Sequence, residues 1–359
     1  MLGTNASLWP ELIGLVETPE QGALLDSYFG LDEKVVARTV SEDDLKGWQD
    51  AINERQKLVE VRCCFVDEAL TREGQSRIAR HLLEQVPRDC DVVFDVSHGF
   101  RHQPIIATHV VSMMRWTHGI RSVRFFSGVL EASRNGVAPV VELPICQQLA
   151  ETTEAAATLE LTGNYEPLAK QLQVDAGTAW FFESTNQIHA ARAPATRLCK
   201  DLHARLEANG DPVKRVATQM LVRQFEWIDA ERFTGRFFEL ACKAIDHDDY
   251  FRAIILAYES ILVLAVTRLV TPGDPLNYNH RGAAEERLPA KLSQEDRDFL
   301  RQLKAVRNAC AHGSRSNTDE AQATLHDPSA FRNVLERAQR LFRKLNDQLK
   351  EDRQPVVPG

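Results

Sequence analysis

The chain has 359 residues, of which 43% are hydrophobic and 26% are charged, as is typical of a globular protein with room for two cores. Its formal net charge of −8 excludes a generally basic surface, so any RNA contact must be a local patch, and DNA is not an expected partner. Seven cysteines without a CxxC spacing predict reduced thiols in the cytoplasm rather than a zinc site. We expect no signal peptide and no membrane span, because polar residues interrupt the most apolar run, 253–270.

The first 145 residues alternate between two hydrophobic periodicities. Strand-like runs at 57–66, 91–96 and 122–127 flank helical patterns at 74–86 and 104–116. This alternation predicts an α/β Rossmann-like domain over 1–145, in which helices flank a parallel sheet. The apolar run 91–96 is typical of a central strand covered on both faces.

Beyond residue 146 the pattern becomes that of amphipathic helices. They are expected at 146–161, 165–172, 190–206, 212–231, 234–244, 250–270, 295–311 and 328–349. The sequence therefore predicts an all-α second half, with a helical connector at 146–233 and a C-terminal helical domain at 234–359.

A polar turn, 97–101, follows the strand-like run 91–96 and leads into a helix. Ligands of open α/β sheets bind at the carboxyl ends of the strands, and helix N-termini favour phosphate, so an anionic nucleotide is a candidate ligand. A purely structural alternative stays open. In it, Ser97 caps the next helix, Gly99 allows a tight turn of the backbone and Arg101 is solvated.

The octet Phe-Asp-Val-Ser-His-Gly-Phe-Arg at 94–101 resembles the signature of CRISPR-associated Rossmann-fold (CARF) sensor domains, although Ser97 stands where a Thr is usual. The segment 2–9 looks like the Gly-Thr loop and following Trp of that family, and 125–128 and 163–165 are similar to later parts of it. The chain opens within the family's second strand. The resemblance implies these ligand-binding residues: Gly3, Thr4, Asn5, Ser7, Ser97, His98, Gly99, Phe100, Arg101 and Gly128.

A second pattern lies in the helical half, where Arg307, Asn308 and His312 precede Gly313. Asn308 and His312 are four residues apart and share a helix face, and the glycine is expected to end the helix. An alternative is that His312 is stabilised by the helix dipole while Arg307 is a surface cation. A similar spacing also occurs at 197–203.

The segment 307–313 resembles the Arg-Asn-x3-His motif of HEPN ribonucleases, and 249–259, ending in Tyr-Glu, is similar to an earlier helix of that domain. The resemblance implies an all-α HEPN domain, in which two chains pair to form one site. His312 would then act as acid or base, Arg307 would stabilise the charge of the scissile phosphate, and Asn308 would orient the phosphate or His312. The 2′-hydroxyl of the RNA is the nucleophile, so no metal or cofactor is expected.

A sensor signature followed by an Arg-Asn-x3-His motif resembles the arrangement in the ancillary ribonucleases of type III CRISPR systems. This resemblance implies a homodimer that cuts single-stranded RNA when cyclic oligoadenylate binds and shifts the population of dimer states. Cyclic tetraadenylate is the first candidate activator. The alternative is a ligand-sensing regulatory or interaction protein without nuclease activity. No GxGxxG follows a predicted strand, which disfavours a nicotinamide-dependent oxidoreductase.

Overall fold

The computed structural model divides the chain into two compact units, Met1–Ala150 and Glu151–Gly359. The structure describes residues 1–5, 7, 9–16, 23–56, 58–66, 68–97, 102–129, 132–208, 210–230, 233–314, 316 and 318–351. The finer division of the second half at residue 233 stays a prediction.

Helices and short strands alternate in the first unit. The α-helices are α1 (Ala23–Ala37), α2 (Glu42–Arg55), α3 (Arg72–Gln85) and α4 (His102–Thr117), and a 3-10 helix covers Trp9–Leu15. The strands are β1 (Leu2–Gly3), β2 (Cys64–Phe65), β3 (Asp91–Asp95), β4 (Ser122–Gly128) and β5 (Val140–Glu142).

These strands form two small sheets. In the first, β1 runs parallel to β2 and pairs Leu2 with Cys64. In the second, β3 runs parallel to β4 and pairs Asp91 with Ser122, while β5 is antiparallel to β4. The order of the second sheet is β3-β4-β5.

The prediction of a Rossmann-like parallel sheet over 1–145 is therefore wrong. The described part of this unit is mostly helical, and β2 is short for a local reason. Side-chain amides take the backbone N–H groups of the expected strand 57–66: Asn53 accepts from Val61 at 2.8 Å and Gln56 from Val59 at 2.9 Å. Only Cys64 and Phe65 remain in a ladder, because a backbone donor used by a side chain is lost to strand pairing.

The expectation that 91–96 is covered on both faces is also wrong. Side chains alternate along β3, so that Val92 and Phe94 pack into a small core while Asp91, Val93 and Asp95 are exposed. The side chain of Val93 is 65% exposed. One face of the three-stranded sheet is thus accessible to solvent.

Two helices that the hydrophobic pattern did not predict, α1 and α2, separate β1 from β2. A capping box begins α2, in which Ser41 accepts the N–H of Asp44 and the Asp44 carboxylate accepts the N–H of Ser41. The apolar side chains of Leu45, Trp48 and Ile52 then fall on one buried face. Trp48 donates to the carbonyl of Trp9 at 2.8 Å and fixes the 3-10 helix against α2.

Every described element from Pro144 onward is helical, and the predicted helical patterns are confirmed except for 212–231, which is divided between an α-helix that ends at Arg223 and a short 3-10 helix. The helices are α5 (Pro144–Thr162), α6 (Glu166–Gln171), α7 (Gly177–Ser184), α8 (Ile188–Ala208), α9 (Pro212–Arg223), α10 (Phe233–Asp246), α11 (Tyr250–Leu269), α12 (Tyr278–Arg287), α13 (Gln294–His312), α14 (Asp319–His326) and α15 (Pro328–Glu351). Two 3-10 helices cover Glu226–Asp229 and Leu288–Lys291.

Helix α11 is the centre of the second unit and packs against α10, α12, α13 and α15. It is long and apolar enough to span a membrane, but 67% of that stretch is buried inside the fold. This burial is typical of a core helix, in which most faces meet other helices. Its contacts with α12 and α13 position the candidate site.

Candidate functional site

The candidate nuclease motif lies at the C-terminal end of α13. Ser293 caps the start of this helix by accepting the N–H of Asp296. The helix ends at His312, because Gly313 adopts a left-handed conformation with φ of 60° and its N–H bonds to the carbonyl of Ala309. The predicted end at Gly313 is confirmed, and the histidine occupies the last helical position.

The packing of α13 sets which of its side chains can meet a ligand. Phe299, Leu303 and Val306 are buried in the core of the second unit. Asn308 and His312 lie on a different face, where Asn308 is half-buried and His312 is exposed. Burial of the apolar face therefore directs the two polar side chains outward.

Asn308 and His312 line a single open cavity of about 410 Å³. Its other lining residues are Arg301, Lys304, Ala305, Ala309, Ser314 and Ser316. Positions 301, 304, 308 and 312 are three or four residues apart, so they form one row along the helix. The cavity thus combines a histidine, an amide and two cationic side chains.

Arg307 points towards α11 and does not line this cavity. Its guanidinium donates to the Glu259 carboxylate at 2.8 Å and to the Asn308 side-chain oxygen at 2.8 Å. It also lies over the Tyr258 ring, 5.0 Å from the centroid. The structure therefore joins Arg307 to the cavity through Asn308, with its side chain still 27% exposed.

Glu259 accepts hydrogen bonds from two arginines. Its second carboxylate oxygen receives Arg281 of α12, and its side chain is only 12% exposed. Two guanidinium groups and one carboxylate give this cluster a net positive charge. A buried acceptor of this kind fixes the arginine side chains while leaving charge to attract an anion.

A second carboxylate, Glu285 of α12, accepts from Lys304 at 2.8 Å and from the Tyr258 hydroxyl. Burial, together with the hydrogen bond to Glu285, raises the pKa of Tyr258 above its ordinary value. Burial opposes ionisation of Glu285, but the bonds from Lys304 and Tyr258 outweigh it and lower its pKa. Glu285 therefore stays ionised, and Tyr258 stays a neutral donor.

Five further residues of the site were not predicted from the sequence: Glu259, Arg281, Glu285, Arg301 and Lys304. The segment 249–259 carried the resemblance that ends in Tyr-Glu, but no role was assigned to the glutamate. A local signal did exist for Lys304, which precedes Asn308 by four residues and so shares its face. The partners on α11 and α12 have no such signal.

The competing motif copy lies on α8 and has different surroundings. Arg197 and His203 are both exposed there. The His203 ring is 2.8 Å from the carbonyl of Cys199 in its own helix. Neither residue lines the cavity of Asn308 and His312.

Residues of the predicted ligand loop near the N-terminus form hydrogen bonds with one another and with Arg38. The Thr4 N–H donates to the Ser7 hydroxyl at 2.8 Å, and the Trp9 indole donates to the Thr4 carbonyl at 2.7 Å. The Asn5 amide donates to the carbonyl of Arg38. A side chain at Gly3 would collide with Ser7 and Trp9, so this glycine is required by close packing.

Ser97 and Gly128 meet at the ends of β3 and β4. The Gly128 N–H donates to the Ser97 hydroxyl at 2.5 Å, and Ser97 in turn donates to the Asp95 carboxylate. The Asp95 side chain, an acidic group beside Ser97, disfavours an anion at this point. His98, Gly99, Phe100 and Arg101, the rest of the predicted phosphate-binding turn, lie outside the described residues.

No group of three or more His, Cys, Asp or Glu side chains that could hold a metal ion occurs among the described residues. All seven cysteines are free thiols of intermediate burial. Burial raises the pKa of Cys63 to about 11, as expected for an unreactive thiol.

No protein-family model matches the sequence, and no curated protein matches it. The class of the site rests on its own geometry and on the motif resemblance.

Proposed function

We propose that the C-terminal helical unit is an endoribonuclease that cleaves single-stranded RNA at the α13 site. The observation that supports this most strongly is the shared cavity of Asn308 and His312, with Arg301 and Lys304 on the same helix face. A phosphodiester needs both a cation and a proton donor or acceptor, and these side chains supply them together.

In the proposed reaction the 2′-hydroxyl of the RNA attacks the adjacent phosphorus, and the bond to the 5′-oxygen breaks. His312 transfers a proton at one of these two oxygens. Arg307 stabilises the charge that develops on the phosphate, and Asn308 orients it. The products are a 2′,3′-cyclic phosphate and a 5′-hydroxyl.

In the described contacts Arg307 uses two of the five guanidinium N–H groups, on Glu259 and Asn308. Its remaining donors can bind a phosphate that enters next to Asn308. Since the proton-transfer role falls on one histidine per chain, we propose that two chains pair and supply two histidines to one cleavage site. The dimer, the cytoplasmic location and the independence of a metal stay predictions.

Dependence on cyclic oligoadenylate also stays a prediction from the resemblance. The structure describes only Ser97 of the predicted turn 97–101, and Ser97 is bonded to Asp95 and Gly128. Activation is therefore tested separately from cleavage.

The test incubates the full-length protein with end-labelled single-stranded RNA in EDTA, with and without cyclic tetra- or hexaadenylate. An Arg307→Ala/His312→Ala variant is expected to lose cleavage. The matched control, Arg197→Ala/His203→Ala, removes the same residue types from exposed positions on α8 and is expected to cut normally.

Equal cleavage by the wild type and the Arg307→Ala/His312→Ala variant would overturn the assignment of the site. No cleavage by a folded wild-type protein under any ligand condition would overturn the nuclease proposal. Binding of cyclic oligoadenylate without cleavage would favour the regulatory alternative.

A further inference from the structure

Next to the candidate nuclease cavity lies a smaller apolar cavity of about 170 Å³. It opens between α11, α12 and α13, and its apolar wall includes Ile261, Leu262, Leu288 and Leu300. An apolar cavity of about 150 Å³ can hold a benzene molecule, so this one has room for a single planar ring.

The two cavities share Arg301 and Lys304 in their linings. The two cations therefore lie between the apolar cavity and the cavity of Asn308 and His312. Among the described contacts, Arg301 is held by an exposed ion pair with Asp298, and Lys304 by an ion pair with the half-buried Glu285. An exposed pair contributes little stability, so a phosphate can replace Asp298 at small cost. The ammonium of Lys304 has three donors and can bind a phosphate beside Glu285.

Tyr258 connects the apolar cavity to Arg307. Its ring forms part of the cavity wall and also lies under the Arg307 guanidinium. Its hydroxyl is bonded to Glu285, another lining residue. A ring inside this cavity is thus separated from the candidate catalytic arginine by one side chain.

We propose that the apolar cavity is a subsite for one pyrimidine base of the RNA, next to the cut, and that Arg301 and Lys304 hold the phosphate of that nucleotide. The apolar wall takes the faces of the base, and the Glu285 carboxylate accepts a hydrogen bond from its exocyclic or ring N–H. A purine has two fused rings and exceeds the space for one. The inference rests on the proposed nuclease function and adds a base preference to it.

The test uses DNA oligonucleotides with a single ribonucleotide, so that only one phosphodiester can be cut. The base on each side of that bond is varied among C, U, A, G and an abasic site. On one side of the scissile bond we expect kcat/KM to be about tenfold higher for a pyrimidine than for a purine. An abasic site at that position should lower kcat/KM by the same factor relative to the pyrimidine.

Leu300→Phe fills the cavity from a half-buried position and is expected to bring the pyrimidine-to-purine ratio close to one. Leu161→Phe, at an exposed position on α5, is the matched control and keeps the wild-type ratio. If Leu300→Phe does not fold, the abasic substrate with the wild-type protein tests the same point.

Binding of uncleavable all-deoxy oligonucleotides, followed by fluorescence anisotropy, separates this inference from the nuclease proposal. Arg301→Gln/Lys304→Gln should lower the slope of log Kd against log salt by about 0.7, the value for one lost phosphate contact on a single strand. Arg340→Gln, an exposed arginine on α15, should leave the slope unchanged.

Cleavage without any base preference, or a preference that survives in a folded Leu300→Phe variant, overturns the subsite and leaves the nuclease proposal standing. Tighter binding of pyrimidine than of purine oligonucleotides without cleavage supports the subsite and overturns the nuclease. Neither binding nor cleavage overturns both.

Discussion

Arg307 of α13 donates to Glu259 of α11 at 2.8 Å, across 48 positions of the sequence. The arginine that we propose to stabilise the phosphate is thereby fixed to the central core helix of its unit. Because Glu259 also accepts from Arg281, the carboxylate holds two cations without neutralising both.

Glu259→Gln keeps the shape of the side chain and removes its charge. We expect kcat to fall about tenfold while KM changes little, because Arg307 loses its fixed orientation rather than its own charge. The unfolding free energy should fall by about 1–3 kcal/mol, measured by urea denaturation. Glu336→Gln, which changes an exposed partner of Arg340, is the control. Wild-type kcat in a folded Glu259→Gln protein would show that Glu259 does not position Arg307.

Gly313 has a φ of 60° at the end of α13. Gly313→Ala should lower the unfolding free energy by about 1–2 kcal/mol, because a residue with a Cβ is strained in the left-handed region. Gly282 lies inside α12 with open space around its Cα, so Gly282→Ala should raise stability by about 0.5–1 kcal/mol. In thermal denaturation, we expect Gly313→Ala to lower the Tm and Gly282→Ala to raise it. A stabilising Gly313→Ala would mean that the helix does not end there.

Leu303 holds α13 to the core and is fully buried. Leu303→Ala should lower the unfolding free energy by about 2–5 kcal/mol through lost burial and the cavity left behind. Leu161 is 74% exposed, and Leu161→Ala should change the unfolding free energy by less than about 0.5 kcal/mol. Urea denaturation followed by circular dichroism measures both. A Leu303→Ala loss as small as that of Leu161→Ala would contradict the packing of α13.

Asp44 gives the first unit an acid-sensitive contact. Hydrogen bonds from Lys34 and from Ser41 lower its pKa from 3.8 to about 2. Because the folded state binds the proton more weakly than the unfolded state, this stabilisation is complete above pH 3.8 and is lost as the pH falls towards 2.

Asp44→Asn should therefore remove part of the acid dependence of the unfolding free energy in that pH window. The measurement compares the pH dependence of thermal unfolding in the wild type and the variant, since other carboxylates titrate in both. Asp43→Asn, a neighbour on the same helical turn, should retain the wild-type slope. Identical slopes for the wild type and Asp44→Asn would show that Lys34 and Ser41 do not hold the carboxylate.

The amino-acid pattern was sufficient where the interactions are local. The predicted helix 250–270 matches α11, and the predicted 295–311 matches α13 within one residue at each end. The end at Gly313 and the shared face of Asn308 and His312 follow from backbone conformation and from the helical period, which nearby residues determine.

The fold of the first unit could not be predicted from the pattern, because a strand forms only if another strand offers its backbone groups for pairing. Asn53 and Gln56 instead use the N–H groups of the expected strand 57–66, and their role depends on the turn after α2. An apolar run such as 91–96 also does not reveal whether one face or two will be covered.

The candidate motif could thus be found from the sequence alone, including the roles suggested for Arg307, Asn308 and His312. Only the tertiary structure placed Glu259, Arg281 and Glu285 around it, since these residues come from α11 and α12. It also decided that Arg307 faces α11 while His312 faces the open cavity. Helical periodicity determines which side chains share a face, whereas packing between distant helices determines what each face meets.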